Sequence, residues 1–307
     1  MISQALVEQH IHGAFGVDFM TCSALDMLEV SKKLLNYGVG YYFPTIMTDK
    51  IDVIKERLNV VKEAKSLQTK QMAQIVGVHL EGPFINSNKA GIHNKEFILP
   101  IEIEQYKKIE DEIIKIVTLA PELDNNGEFT KYLHSKGVKV SAGHTLAVDL
   151  SNVNQVTHLY NAMGNFSHRD VSTVVSALVK DIYVELIADS MHINDDVLKL
   201  TFKQKNLSQI LLISDALPLA HSEKNEHLFA SQLIFNKNGR LVNADDVFAG
   251  SSMLLADIVK NLVDKNILNL EDALTCASSN QLKYHNLKNN LNVYWNELNI
   301  IEKVELL

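Results

Sequence analysis

Short runs of apolar and β-branched residues recur along the chain and alternate with stretches of helical periodicity. The runs predict eight strands, near residues 5–11, 39–44, 74–80, 115–119, 138–142, 155–159, 182–188 and 210–214. Between them, apolar residues fall at the i, i+3, i+4 spacing of one helical face, as Ile51, Ile54, Leu58 and Val61 do. Strands that alternate with helices predict a parallel sheet, and eight such units predict an α/β protein with a closed TIM-like (β/α)8 barrel.

The composition fits an ordinary globular protein with a large core, because 46% of the 307 residues are hydrophobic and 21% are charged. The net charge of −8 argues against nucleic acid and anionic membranes as partners. No apolar run approaches the ~20 residues of a membrane helix. Cys22 and Cys276 are too few and too far apart for a disulfide framework, so we expect a cytoplasmic protein without a secretion signal.

Polar residues of the types that bind metals follow the ends of five predicted strands. They are His10, His12, Glu81, His144, His158 and Asp215. Because the carboxyl ends of barrel strands meet at one mouth, we expect these side chains to converge there. One histidine at a strand end is more often structural, but six candidates at one rim favour a metal site. Imidazole and carboxylate ligands suit an ion such as Zn²⁺ or Fe²⁺.

The strings around these residues occur in a characteristic order. They are QHIHG at 9–13, GVHLEGP at 77–83, SAGHT at 141–145, THLYNAM at 157–163 and SDA at 214–216. Together they resemble the amidohydrolase superfamily and, within it, the N-acetylglucosamine-6-phosphate deacetylase family. The resemblance extends over about residues 9–278, and HLEGP and HLYNAM are its most specific strings.

The resemblance implies a metal-dependent centre at the barrel mouth. Glu81, His144 and His158 match the main metal ligands of the family. His10 and His12 match a second metal position that some members lack, so one or two ions, zinc or iron, are expected. A divalent ion lowers the pKa of bound water from ~15.7 to ~7, which makes hydroxide available at neutral pH.

The resemblance also implies roles in catalysis and substrate binding. Asp215 matches the catalytic general base and acid, and His93 matches a histidine near the substrate carbonyl. Four further residues match groups around the sugar phosphate: Arg169, His192, Asn161 and Ala162. In the family the arginine reaches the neighbouring subunit's site, which implies a homodimer. The expected reaction releases acetate from N-acetylglucosamine 6-phosphate and leaves glucosamine 6-phosphate. We expect a structural role for Asp189.

The sequence departs from the family pattern at both ends and in two loops. Usual members carry a small β-sandwich beside the barrel, whereas here the first metal motif begins at residue 10. We therefore expect a barrel over residues 1–285 and a tail over 286–307 that is a remnant of the small β domain. Segments 164–172 and 216–221 are altered, which leaves two alternatives open. One is an amidohydrolase acting on another N-acyl or cyclic amide, and the other is an idle sugar-phosphate-binding relative.

Overall fold

Strands and helices alternate through most of the chain in the computed structural model, which describes all 307 residues. The strands are β1 (Ile2–Gln4), β2 (Leu6–Ile11), β3 (Gly13–Ala14), β4 (Val17–Asp18), β5 (Val39–Met47), β6 (Gln74–Ile75), β7 (Val78–Glu81), β8 (Ile114–Leu119), β9 (Lys139–Ala142), β10 (Gln155–Val156), β11 (Tyr183–Ile187), β12 (Ile210–Ile213), β13 (Glu226–Phe229), β14 (Gln232–Lys237), β15 (Arg240–Val242), β16 (Phe248–Ser251), β17 (Leu291–Trp295) and β18 (Ile301–Leu306). The α-helices are α1 (Ala24–Asn36), α2 (Ile51–Leu67), α3 (Ile103–Tyr106), α4 (Glu128–Ser135), α5 (Thr173–Val179), α6 (Asp195–Gln204), α7 (Leu255–Asp264), α8 (Leu270–Leu274) and α9 (Asn280–Tyr284).

The central sheet is a parallel barrel. Its strand order is β2-β5-β7-β8-β9-β10-β11-β12, and β6 pairs with β5 at one edge. Hydrogen bonds join the last strand to the first: the amide of Asp215 donates to the His10 carbonyl (3.0 Å), and the amide of His12 donates to the Ala216 carbonyl (2.9 Å). All eight predicted strands are present, which confirms the (β/α)8 prediction.

The first two helices show why their segments fold as they do. The side chain of Ser23 accepts a hydrogen bond from the amide of Asp26, whose carboxylate accepts one from the amide of Ser23, so a capping box begins α1. Past the end of α1, Gly38 has a φ of +74°, which glycine adopts without strain. The stripe predicted for α2 is confirmed, since Ile54 and Leu58 are buried.

Alternation along the strands separates two environments. On β11, Val184 and Leu186 belong to the apolar core between sheet and helices, whereas Glu185 contacts polar side chains inside the barrel. Buried glutamines on neighbouring strands, Gln9 and Gln155, share that interior. The barrel therefore has an apolar outer layer and a polar interior beneath its mouth.

Three smaller sheets accompany the barrel, and one of them is the antiparallel pair of β3 and β4. Strands β13 to β16 form an antiparallel four-stranded sheet that the hydrophobic pattern did not predict. Strands β1, β17 and β18 form a three-stranded sheet, so residues from both ends of the described chain pair with each other. The tail that was expected to be a remnant of the small β domain thus contributes two strands to this sheet. The domain boundary at residue 285 stays a prediction. None of the helices is sufficiently long and apolar to cross a bilayer.

Candidate functional site

The six residues of metal-binding type converge at the barrel mouth. Each lies at or within two residues of the carboxyl end of a barrel strand, and none is more than 8% exposed. The set is His10, His12, Glu81, His144, His158 and Asp215. The structure thus brings together all six residues that the strand ends indicated.

The carboxylate of Glu81 lies between two pairs of histidines. Its Oε1 is 3.2 Å from His144 Nε2 and 3.0 Å from His158 Nε2. Its Oε2 is 3.3 Å from His12 Nε2 and 3.5 Å from His10 Nε2. Each carboxylate oxygen therefore faces one pair, as a ligand shared by two ions would.

Asp215 completes the second pair. Its Oδ1 is 3.1 Å from His12 Nε2 and 3.4 Å from His10 Nε2. Burial raises the pKa of Asp215, but the neighbouring His10 and His12 outweigh it and leave that pKa below its ordinary value. Burial likewise raises the pKa of Glu81, and His10 more than offsets it. Both carboxyl groups are therefore charged at neutral pH.

The same carboxylates raise the pKa values of the neighbouring histidines. Burial lowers the pKa of His10, but the charges of Glu81 and Asp215 hold that pKa well above its ordinary value. The pKa of His12 is also raised, because its hydrogen bonds to the two carboxylates outweigh burial. A field that favours positive charge on imidazoles is a field that attracts a cation.

The donor atoms fit a divalent metal ion. His144 Nε2 and His158 Nε2 are 3.2 Å apart, and Glu81 Oε1 is at a similar distance from both. Ligands at about 2.05 Å around a tetrahedral ion would be separated by about 3.3 Å. The buried Nε2 of His10 has no hydrogen-bond partner, so no neighbouring group would compete with an ion for this nitrogen. These residues could therefore hold a metal, although the ion's identity does not follow from them.

Hydrogen bonds at Nδ1 orient two of the imidazoles. His144 Nδ1 donates to the carbonyl oxygen of Lys89 (2.7 Å), so its Nε2 is the nitrogen that faces Glu81. His10 Nδ1 donates to Glu185 Oε2 (3.1 Å). Burial raises the pKa of Glu185, but His10 reverses the shift, so Glu185 is a buried carboxylate.

A cavity of about 330 Å³ opens above the centre, within the size range of small-molecule sites. His93 lines it, with Nδ1 2.8 Å from Thr48 Oγ1 and Nε2 3.6 Å from Glu81 Oε2. Burial lowers the pKa of His93 to about 4, so this imidazole is neutral at pH 7. Although His93 lies in a loop, it is only 4% exposed.

The far side of the cavity carries the residues expected around a sugar phosphate. Asn161, Ala162 and His192 all line it. His192 Nδ1 is 2.7 Å from Asp189 Oδ2, and Asp189 Oδ1 accepts from the backbone amides of Met191 and His192 (2.9 Å each). Asp189 therefore fixes the ring of His192, in keeping with the structural role expected for it.

Arg169 is not brought to this cavity. It lies exposed in the loop before α5, where its Nε donates to His168 Nε2 (3.2 Å), and it does not line the cavity of its own chain. Within a single chain Arg169 therefore makes no contact with the site.

Sequence reasoning missed two contributors to the site. Glu185 lies in the middle of an apolar strand, and a charged residue inside a buried run is a signal that could have drawn attention to it. The four-stranded sheet supplies Val247, Phe248 and Ala249 to the cavity wall. Its turn at Asn238–Gly239, where both residues have positive φ, is a strong hairpin signal.

A (β/α)8 barrel whose strand ends carry this histidine–carboxylate centre defines a metal-dependent hydrolase of the amidohydrolase superfamily. No family model matches the chain. It is 31% identical over 291 residues to the N-acetylglucosamine-6-phosphate deacetylase of Bacillus subtilis (strain 168), covering 91% of this chain and 74% of that protein. The corresponding protein of Caenorhabditis elegans is 29% identical over 304 residues, covering 91% and 72%.

Solved structures agree on the fold. The N-acetylglucosamine-6-phosphate deacetylase of Thermotoga maritima matches with a TM-score of 0.91 at 24% identity, covering 99% of this chain and 87% of that one. The protein described here belongs to the N-acetylglucosamine-6-phosphate deacetylase family, and it spans about three quarters of the length of its B. subtilis relative.

Proposed function

We propose that this protein hydrolyses the acetamide of N-acetylglucosamine 6-phosphate, yielding glucosamine 6-phosphate and acetate. The observation that carries the proposal is the position of Glu81, whose two carboxylate oxygens each face a pair of histidines beside Asp215. The similarity to deacetylases of this specificity extends over 91% of the chain and supports the same substrate.

The metal would be held by the residues that converge on Glu81. His144 and His158 would bind one divalent ion and His10 and His12 a second, with Glu81 shared between them. Zinc or iron suits this donor set. When bound, such an ion lowers the pKa of water and polarises the amide carbonyl.

The proton transfers fall to Asp215. Its Oδ1 faces the histidine pair at the floor of the cavity, and as a carboxylate it would accept the proton of the attacking water. The same group, once protonated, would deliver that proton to the departing amine nitrogen, which is a poor leaving group as an anion.

His93 would act on the carbonyl oxygen. In this role the hydroxyl of Thr48, 2.8 Å from Nδ1, would donate to that nitrogen, and the neutral ring would carry its hydrogen on Nε2. That N–H points into the cavity beside Glu81 and would stabilise the oxyanion that forms when water attacks.

The phosphate would be held on the far side of the cavity. His192, positioned by Asp189, and the backbone at Asn161 and Ala162 line that side. Arg169 would reach the phosphate of the substrate bound to a second copy, so the proposal includes a homodimer.

The proposed function also includes a cytoplasmic location. The two buried, unpaired cysteines, Cys22 and Cys276, suit a reducing compartment.

The test is acetate release from a small panel of substrates. Metal-loaded protein is expected to release acetate from N-acetylglucosamine 6-phosphate, with little release from the sugar without phosphate, and chelation is expected to abolish turnover until zinc or iron is restored. Equal turnover of both sugars would point to another N-acyl substrate. Binding of the sugar phosphate without acetate release from metal-loaded protein would instead identify an idle relative.

A further inference from the structure

Glu185 is a carboxylate without access to solvent or to the substrate cavity. It is 0% exposed, and four hydrogen bonds reach it. Its Oε2 accepts from His10 Nδ1 (3.1 Å) and from the backbone amide of His158 (3.2 Å). Its Oε1 accepts from Gln9 Nε2 (2.5 Å) and Gln155 Nε2 (2.9 Å). A buried charge persists only when it is satisfied in this way.

The bond to His10 determines which nitrogen that ring offers to the mouth. Because Nδ1 donates its hydrogen to Glu185, Nε2 is the nitrogen that faces the mouth and that a metal ion would bind. That atom lies 3.5 Å from Glu81 Oε2 and 3.4 Å from Asp215 Oδ1, and no donor reaches it. The edge of the His79 ring packs against His10, with ring centroids 4.5 Å apart, which further restricts its rotation.

Among the four candidate metal-binding histidines, His10 alone has a carboxylate at its Nδ1. The Nδ1 of His144 donates to a neutral carbonyl oxygen, that of Lys89. The Nδ1 atoms of His12 and His158 are buried without a partner. A carboxylate behind a metal-binding imidazole makes the ring a stronger ligand and fixes its orientation, and its loss typically costs 10–100-fold in metal affinity.

We propose that Glu185 is a positioning residue that holds His10 and thereby sets the affinity of the second metal position, which His10 and His12 form. The inference rests on the metal site of the proposed function but not on its substrate. Its consequence is selective, because Glu185 contacts the first position only through the backbone amide of His158.

The test is a zinc titration of metal-depleted protein against a competing chromogenic chelator. The wild-type protein is expected to bind two equivalents. In the Glu185→Gln variant, the first equivalent is expected to bind as before and the second about 10–100-fold more weakly. Equal affinity of the second equivalent in variant and wild type, or a single equivalent in the wild type, would overturn the inference.

Glu8→Gln is the matched control. Glu8 is also a buried acidic side chain next to His10, but it accepts hydrogen bonds from the backbone amides of His10 (3.1 Å) and Ser214 (3.0 Å) and is not bonded to the ring. This variant is expected to bind both equivalents as the wild type does. A matching loss of the second equivalent would show that any change in a buried acidic side chain near His10 disturbs the site.

A double-mutant cycle with His10→Asn separates positioning from a general structural role. If Glu185 acts through His10, Glu185→Gln causes no further loss of zinc affinity in the His10→Asn background, whereas an additional loss of similar size contradicts the proposal. Circular dichroism of the metal-free proteins checks folding, and Glu185→Asp, which keeps the charge but shortens the side chain, replaces Glu185→Gln in the cycle if that variant does not fold.

The titration also separates this inference from the proposed reaction. Selective loss of the second zinc in a protein that releases no acetate would leave the role of Glu185 intact and remove the proposed substrate. Unchanged zinc binding by the Glu185→Gln variant of a protein that does release acetate would remove the role of Glu185 and leave the proposed substrate intact.

Discussion

Three residues of the candidate centre have backbone angles that side chains rarely adopt. The φ values of His144, His158 and Asp215 are 47°, 29° and 51°. Such conformations cost of order 1–3 kcal/mol each and persist where the surroundings hold them. Here, the amide of His158 donates to Glu185 and that of Asp215 to the carbonyl of His10. The backbone thus turns sharply where each strand ends and presents these side chains to the mouth.

Replacing Asp215 with asparagine tests the proton-transfer role at this position. Asparagine tolerates positive φ and keeps the shape of the side chain, so we expect a folded protein. It cannot accept a proton, and kcat for acetate release should fall by about 10²–10⁴-fold. Steady-state kinetics with metal analysis would measure this. Retention of more than about a tenth of wild-type kcat at full metal content would exclude Asp215 as the general base.

Histidines and carboxylates at strand ends could be predicted as site residues from the sequence, because the carboxyl ends of barrel strands meet at one mouth. His10 and Glu81 are examples, since each directly ends an apolar run. Glu185 was not predictable in the same way. Its role depends on contacts with His10, Gln9 and Gln155, which all lie more than 25 residues away in the chain, and no local pattern reports such contacts.

At the scale of elements, buried parallel strands were recognisable because both of their faces are covered, which leaves short continuous apolar runs. β10 is shorter than its run, since only Gln155–Val156 pairs on both sides before the chain turns toward His158. Strands β13 to β16 escaped recognition because they are only three to six residues long and one of their faces is solvated. On β14, for example, Leu233 is 41% exposed.

A histidine links elements around the loop that follows Asp215. His221 Nε2 is 2.6 Å from Asp257 Oδ2 on α7, and its Nδ1 is 3.0 Å from the hydroxyl of Tyr37 at the end of α1. The hydrogen bond to the Asp257 carboxylate raises the pKa of His221 above its ordinary value of 6.5. A raised pKa in the folded state means that folding is favoured while His221 is protonated.

The stabilisation by His221 should therefore be complete below pH 6.5 and be lost as the pH rises through the raised pKa. We expect the difference in melting temperature between wild type and His221→Gln to be largest near pH 6 and to shrink toward pH 9. Thermal melts followed by circular dichroism would measure it. Tyr37→Phe, which removes the uncharged partner, should leave this pH dependence in place. A difference that grows with pH would contradict the assignment.

At the scale of the whole molecule, barrel closure follows from the number and alternation of the elements, so the sequence sufficed to predict it. The pairing of the chain's two ends did not follow from any local pattern. The amide of Trp295 donates to the carbonyl of Met1 (2.8 Å), and Trp295 Nε1 donates to Ser3 Oγ (2.9 Å). These contacts join residues almost 300 positions apart, and only the closed barrel brings them together.

The surface around Arg169 supports the proposed homodimer. Phe166 and Val171 flank Arg169 and are 62% and 58% exposed, and Val179 on the following helix is 82% exposed. Large apolar side chains exposed together are typical of a surface that binds another protein. A second copy that covers this surface would lie against the loop that carries Arg169.

Mixing two inactive variants tests whether Arg169 acts across the dimer. Arg169→Ala and Asp215→Asn should each lower acetate release, because the first lacks the phosphate contact and the second the general base. If Arg169 serves the partner's site, a mixed dimer contains one site with both residues intact. Random re-association of equal amounts should then restore about a quarter of wild-type activity. If Arg169 served its own chain, each site would still lack one group and the mixture would be no more active than the average of the two variants. Native mass spectrometry of differently tagged variants would check that the subunits have exchanged.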